Sequence, residues 1–271
     1  MTRRDFSLQQ LKRDNAWLIS HLLQSGTYIG GLLPKEVKRN NILNLDLSKD
    51  NPEVLAAKSP RDLLGYIRAR LSASGALFAI SAHGERRMHP SLGKEMTHLG
   101  LDIWSAEDFS VVAPINGVLY TVQGDGTGQE FRIVLQHRLG MFRFYTVYSH
   151  ISNAMWTARK PGSLMQAGDL IGYPVPSMCH HATGLSQFHF MVVLEAKEEP
   201  FEVSEYAETK YEPYFLALCP DPSSLLRSPE PALKQRRILE PLRINPVTNH
   251  PYRSSQTQKF CRIVSNMKRF Y

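Results

Sequence analysis

Apolar residues at Phe6, Leu8, Leu11, Leu18, Leu22 and Leu23, set among polar ones, predict an amphipathic helix over residues 6–24. Residues 41–47 (Asn-Ile-Leu-Asn-Leu-Asp-Leu) alternate apolar with polar, which predicts a short strand. At Ser59-Pro60-Arg61-Asp62 a second helix starts, with Ser59 as N-cap and Pro60 at the first helical position. Its apolar face runs through Leu63, Leu64, Ile67 and Leu71, and Gly75 marks its end.

From Ala76 the pattern changes to short runs rich in β-branched and aromatic residues: 78–80, 111–113, 117–122, 131–135 and 144–148. Gly124-Asp125-Gly126-Thr127-Gly128 reads as a hairpin tip between two of them. Glycines around Leu164-Met165 and Leu170-Ile171 predict a further hairpin over 161–172, of the kind used by biotinyl- and lipoyl-type carrier barrels. The carrier lysine between two methionines is absent, so this hairpin indicates a barrel-like β fold rather than an activity.

The expected fold is therefore mainly β, α+β overall, with an antiparallel sheet forming an open barrel-sandwich core. We divide the chain into an N-terminal helical extension (1–75), a β domain (76–200), a Pro-rich wrapping extension (201–235) and a basic tail (236–271). No internal repeat is visible.

Composition excludes several classes. No apolar run is long enough to span a bilayer, and the basic start is interrupted by Gln9, Gln10, Lys12, Arg13 and Asp14 before any signal core forms. Cys179, Cys219 and Cys261 form no Cys-x-x-Cys clip and fit a reducing compartment. The expected location is cytoplasmic, although non-standard export leaves no readable signal. The formal charge of +7 owes much to the tail (Lys234, Arg236, Arg237, Arg243, Arg253, Lys259, Arg262, Lys268, Arg269), which reads as a solvated segment or as a contact for an anionic partner. No nucleic-acid-binding motif supports a nucleic-acid partner, and the oligomeric state has no signature.

The candidate chemistry lies in histidines and one carboxylate. His98 and Asp102 stand four positions apart with Gly100 between them, and both can face one way on an extended or bulged strand. Gln187 and His189 alternate in a strand and project together. Two imidazoles, one carboxylate and an open fourth position are the donor set of a catalytic zinc site. Taken alone, His-x-x-x-Asp is a weak motif. His150 ends an apolar strand, and His137 lies near a predicted turn; either fits an ordinary strand-end position. His180 and His181, next to Cys179, point to opposite sides of an extended chain and do not share an ion. His21, His83, His89 and His250 carry no signal.

Five segments in order resemble the lysostaphin-type zinc metallopeptidases, which hydrolyse the peptide stems and cross-links of peptidoglycan. They are His98-Leu99-Gly100-Leu101-Asp102-Ile103, Val112-Ala113-Pro114-Ile115-Asn116-Gly117-Val118, Tyr148-Ser149-His150-Ile151, Gln166-Ala167-Gly168-Asp169-Leu170-Ile171-Gly172 and Gln187-Phe188-His189-Phe190. Their span is roughly 95–196. The resemblance implies zinc held by His98, Asp102 and His189, with His150 a catalytic histidine and a peptide or peptidoglycan-derived substrate. Flanking pieces, Ile42 to Ser48, Phe78 to Ile80 with Gly84 to Arg86, and Leu218 to Leu225, resemble the peptidase-like domain of bacterial fusions with a phosphotransferase and a class III aminotransferase. That likeness implies a small amino compound or peptide as substrate.

One position departs from the pattern. The family's last motif is His-x-His, and Gln187 stands where its first histidine belongs. A glutamine amide donates a hydrogen bond but transfers no proton. The expected function is a zinc-dependent peptide or amide hydrolase in which His150 handles the proton and Gln187 holds the tetrahedral oxygen. The alternative is a degenerate domain that keeps the fold as a binding or regulatory module.

Overall fold

The computed structural model describes residues 7–24, 31–33, 37, 41–89, 92–124, 130–140, 142–152, 156, 159–177, 183–196 and 199–226. The basic tail, Cys179, His180, His181, His250, Cys261 and the tip at 125–129 lie outside the described residues.

The architecture is mainly β, built on one large sheet of ten strands. Its path runs β1 (Ile42–Leu45), β2 (Phe78–Ser81), β5 (Leu101–Ser105), β12 (Ser186–Leu194), β11 (Leu170–Pro176), β9 (Phe142–Ser152), β8 (Phe131–Leu139), β7 (Gly117–Gly124) and β10 (Leu164–Met165). Strand β6 (Val111–Val112) pairs with β11, and β12 also pairs directly with β9. All pairs are antiparallel except β1 with β2, which are parallel. A second sheet of three strands runs β13 (Tyr206–Glu208), β4 (Glu95–His98) and β3 (Arg86–Met88).

The helices form where their caps and faces direct. Helix α3 (Pro60–Ser74) opens with Ser59 accepting the amide of Asp62, and ends at Gly75, whose φ of 65° is the left-handed conformation glycine adopts without penalty. Its buried Leu64, Ile67 and Leu71 pack with Leu45, Leu47, Ala79, Trp104 and Leu185. A one-turn helix, α2 (Pro52–Ala56), precedes it. Helix α1 (Leu8–Gln24) buries Leu11, Leu18 and Leu22 and lies against α4 (Glu212–Leu218), where Asn15 donates to the Leu216 and Ala217 carbonyls. Among the described residues, no helix is long and apolar enough to cross a membrane.

Two expectations change. Strands β10 and β11 flank a tight turn but do not pair with each other: Leu164 and Met165 pair with β7, while β11 joins β6, β9 and β12. Gly168, with φ 93°, and a bond from the Gln166 amide to Asp169 make the turn, and the strands then diverge to different partners. Nor do His98 and Asp102 share a strand. His98 ends β4 in the small sheet and Asp102 sits in β5 of the large one. Gly100, at φ 90°, turns the chain between the two sheets.

Candidate metal centre

Three strands deliver the central residues. His98 pairs with Tyr206 across β4 and β13, whereas Asp102 stands opposite His189 across β5 and β12. On its other side His189 faces Ser149 of β9, so it occupies a position paired on both edges. One ligand-type atom each from His98, Asp102 and His189 lies within 4.8 Å of the others, and all three residues are buried. Asp102 Oδ1 is 3.1 Å from His189 Nδ1, and Asp102 Oδ2 is 3.1 Å from His98 Nε2.

The group also has unmet bonding capacity. Among the described residues, both ring nitrogens of His98 and Nε2 of His189 are buried without a hydrogen-bond partner; the His98–Asp102 approach is close but out of line for one. Buried polar atoms are ordinarily paired, and each orphan calls for a partner. Burial pushes the His98 imidazole down to about 4 against the pull of Asp102, so its ring is neutral at pH 7, the form that binds metal. Burial alone would raise Asp102, but His98, the bond from His189 and Arg87 hold its carboxyl well below the usual range. The neutral His98 imidazole, the His189 imidazole beside it and an ionised carboxylate form a donor set that fits a zinc ion.

The turn beneath the centre is shaped by close approach. A Cβ on Gly100 would lie 2.5 Å from the Phe190 carbonyl oxygen and 2.7 Å from His189 Nε2. Its amide donates to His83 Nδ1 at 2.9 Å, and burial pushes His83 down from its ordinary value. His83, which carried no signal in the sequence, thus fixes this turn.

Gln187, two positions before His189, points its amide at the same carboxylate, with Nε2 3.5 Å from Asp102 Oδ1. His150 does not join the cluster. It sits at a bulge where Phe131 pairs with Ile151 and Ile133 with Tyr148, so β9 carries an extra residue. Its φ of 62° is positive, unlike that of any other described non-glycine residue. The ring donates from Nδ1 to Glu130 Oε1 at 2.8 Å and lies 3.8 Å from Glu205 Oε1 through Nε2. Burial would lower this imidazole, but the two carboxylates raise it to about 10. His150 is therefore an imidazolium at neutral pH. Glu205 is held low, against its own burial, by His189, His150 and Arg132. His137 is a core residue: Nδ1 bonds the Asn116 carbonyl and Nε2 the Thr146 hydroxyl, at 2.9 and 2.7 Å.

Several neighbours escaped the sequence reading. Arg87 is buried and donates from Nη1 to Asp102 Oδ2 at 2.7 Å. Tyr206 lays its ring 5.2 Å from that of His98, and its hydroxyl accepts from Arg87 at 3.5 Å. Glu205 comes from the same C-terminal segment. In Glu85-Arg86-Arg87-Met88 the inward residue is the charged Arg87 and the exposed one is Met88, the inverse of the pattern that marks a strand's buried face.

No family model matches the chain, and no curated protein matches it. A similar solved structure is that of LytU, described as "Identification and structural characterization of LytU". It is 19% identical, the match covers 51% of this chain and 88% of that chain, and the TM-score is 0.28. A score of that size assigns no role to any residue here.

Proposed function

We propose that the chain is a zinc-dependent hydrolase of peptide or amide bonds, with zinc held by His98, Asp102 and His189. The observation that carries this reading is the buried cluster of two imidazoles and one carboxylate, three of whose ring nitrogens have no hydrogen-bond partner among the described residues. Such a donor set leaves a fourth position open, and zinc bound there would acidify water and polarise a carbonyl.

The proton lost by the attacking water would pass to bulk solvent, because Gln187 cannot accept it and His150 already carries one; the chain's own residues act as follows. Gln187 Nε2 can donate a hydrogen bond to a developing oxyanion beside Asp102, and contributes no proton. His150, as an imidazolium, is a proton donor suited to the leaving amine rather than the base expected from the sequence. Glu130 and Glu205 hold that proton in place. A peptidoglycan-type peptide or a small peptide is the substrate class we assign, with cytoplasmic residence as a further part of the proposal.

A second reading, a metal-binding module that does not turn over, is favoured by one contact. The Gln187 amide is already directed at Asp102, which leaves it less available to a substrate oxygen. Zinc content by elemental analysis, together with hydrolysis of glycine-rich and cross-linked peptides, separates these readings. About one zinc per chain with cleavage supports the hydrolase. Zinc and peptide binding without cleavage supports the module, and protein that refuses zinc overturns both.

A further inference from the structure

The two oxygens of Asp102 have different company. Oδ2 accepts from Arg87 Nη1 at 2.7 Å and faces His98 Nε2 at 3.1 Å, while Oδ1 faces His189 Nδ1 at 3.1 Å and Gln187 Nε2 at 3.5 Å. Arg87 is itself anchored. Its Nε and Nη2 donate to Glu85 Oε2 at 2.9 and 2.6 Å, and the other Glu85 oxygen accepts the Leu47 amide at 3.1 Å. Arg87 is only 7% exposed, and its guanidinium is held between the Glu85 and Asp102 carboxylates. This planar fork geometry is available to arginine and not to lysine.

We infer that Arg87 is a positioning residue for a metal at this centre: its bond to Oδ2 fixes the Asp102 carboxylate between the His98 and His189 imidazoles. The inference rests on the zinc reading above. A free carboxylate can chelate through both oxygens, which suits large ions of high coordination number such as calcium. A carboxylate held in one orientation beside two imidazoles suits four-coordinate zinc. Glu85 offsets the charge of Arg87, so the guanidinium is not an unbalanced cation beside a dication. Loss of such an outer partner typically weakens metal affinity about 10- to 100-fold.

The test compares three full-length proteins: wild type, the double variant Glu85→Gln/Arg87→Met, and Arg87→Lys. The double variant removes both charges and so avoids a buried carboxylate without its partner. Arg87→Lys keeps the charge and loses the fork. Zinc affinity is read by competition with a chromophoric chelator, at a temperature where circular dichroism shows folded protein, and manganese affinity is read in parallel. The expected result is one zinc per wild-type chain, and zinc binding about 10- to 100-fold weaker in both variants. The preference for zinc over manganese narrows in the double variant, because a carboxylate no longer fixed by Arg87 can turn and chelate through both oxygens. A folded variant with wild-type zinc affinity overturns the inference and shows that Arg87 serves the fold alone. Tighter zinc in the variants also overturns it, since Arg87 would then compete with the metal. Both results leave the zinc reading intact, whereas wild-type protein without zinc removes the reading and the inference together. Should the double variant not fold, Arg87→Lys alone decides.

Discussion

Asp102 and His189 stand directly opposite each other across β5 and β12, with Oδ1 and Nδ1 3.1 Å apart. The proposed centre is thus set into paired strands of the large sheet rather than into loops, and β12 is bonded on both sides along this stretch. Strands hold side chains with less freedom than loops do, so two of the three donors are placed before any metal arrives.

That placement predicts how metal changes stability. Zinc bound only by the folded state adds about 2.7 kcal/mol at a free concentration a hundred times its Kd. Thermal unfolding in excess zinc and in excess chelator should differ accordingly for wild type. His98→Ala and His189→Ala should each unfold at one temperature in both conditions and carry no zinc. A zinc-dependent shift that survives in either variant would place the metal elsewhere.

Gln187→His is the informative gain-of-function change. The imidazole restores a proton-transfer group two residues before His189, and such groups contribute about a hundred- to ten-thousandfold to rate. Turnover of a cleaved peptide should rise within that range while zinc per chain stays constant. Unchanged turnover at full zinc would count against the hydrolase mechanism and favour the binding module.

Where the sequence could be read, the determinants were local. Ser59, Pro60 and Gly75 bound α3 through contacts within a few residues of themselves. The apolar runs of β7, β8 and β9 were legible because each strand is several residues long with a clear buried content. Strands β3, β4 and β13 were not: they are short, and the inward Arg87 between exposed Arg86 and Met88 inverts the usual signal. The site divides in the same way. His98, Asp102, Gln187 and His189 could be named from ordered motifs, and the fold gathers them around one carboxylate. Arg87, Glu205 and Tyr206 owe their positions to pairings with Asp102, His150 and His98 far along the chain, so no local pattern announces them. His150 was visible, but its protonation was not, because Glu130 and Glu205 reach it from other strands and segments.

Gly100→Ala tests the turn between the two sheets. The new methyl would sit 2.5 Å from a backbone oxygen and 2.7 Å from His189 Nε2, at a backbone φ of 90°. Strain in such a conformation costs of order 1–3 kcal/mol, and the backbone oxygen has no easy retreat. The midpoint of chemical denaturation should fall, and zinc affinity with it, because the displaced group is a proposed ligand. Gly140→Ala, also at positive φ but with open space around its Cβ, should cost stability and leave zinc affinity unchanged.

The last prediction concerns pH. The His150 imidazole has an ordinary value of 6.5, raised to about 10 in the folded protein by its bonds to Glu130 and Glu205. A group raised on folding contributes stability that is complete below its unfolded value and is lost as pH rises through its folded value. Wild-type stability should therefore decline relative to His150→Gln between pH 6.5 and about 10, and run parallel to it below that window. Arg132, 4.0 Å from Glu205, stays charged throughout and leaves the direction unchanged. The His150 side chain is about a third exposed, so solvent screens part of the interaction and raising the salt concentration should shrink the slope. Urea unfolding at several pH values measures it. Parallel curves across the whole window would show that His150 is neutral in the folded protein, and would return it to the role of a base.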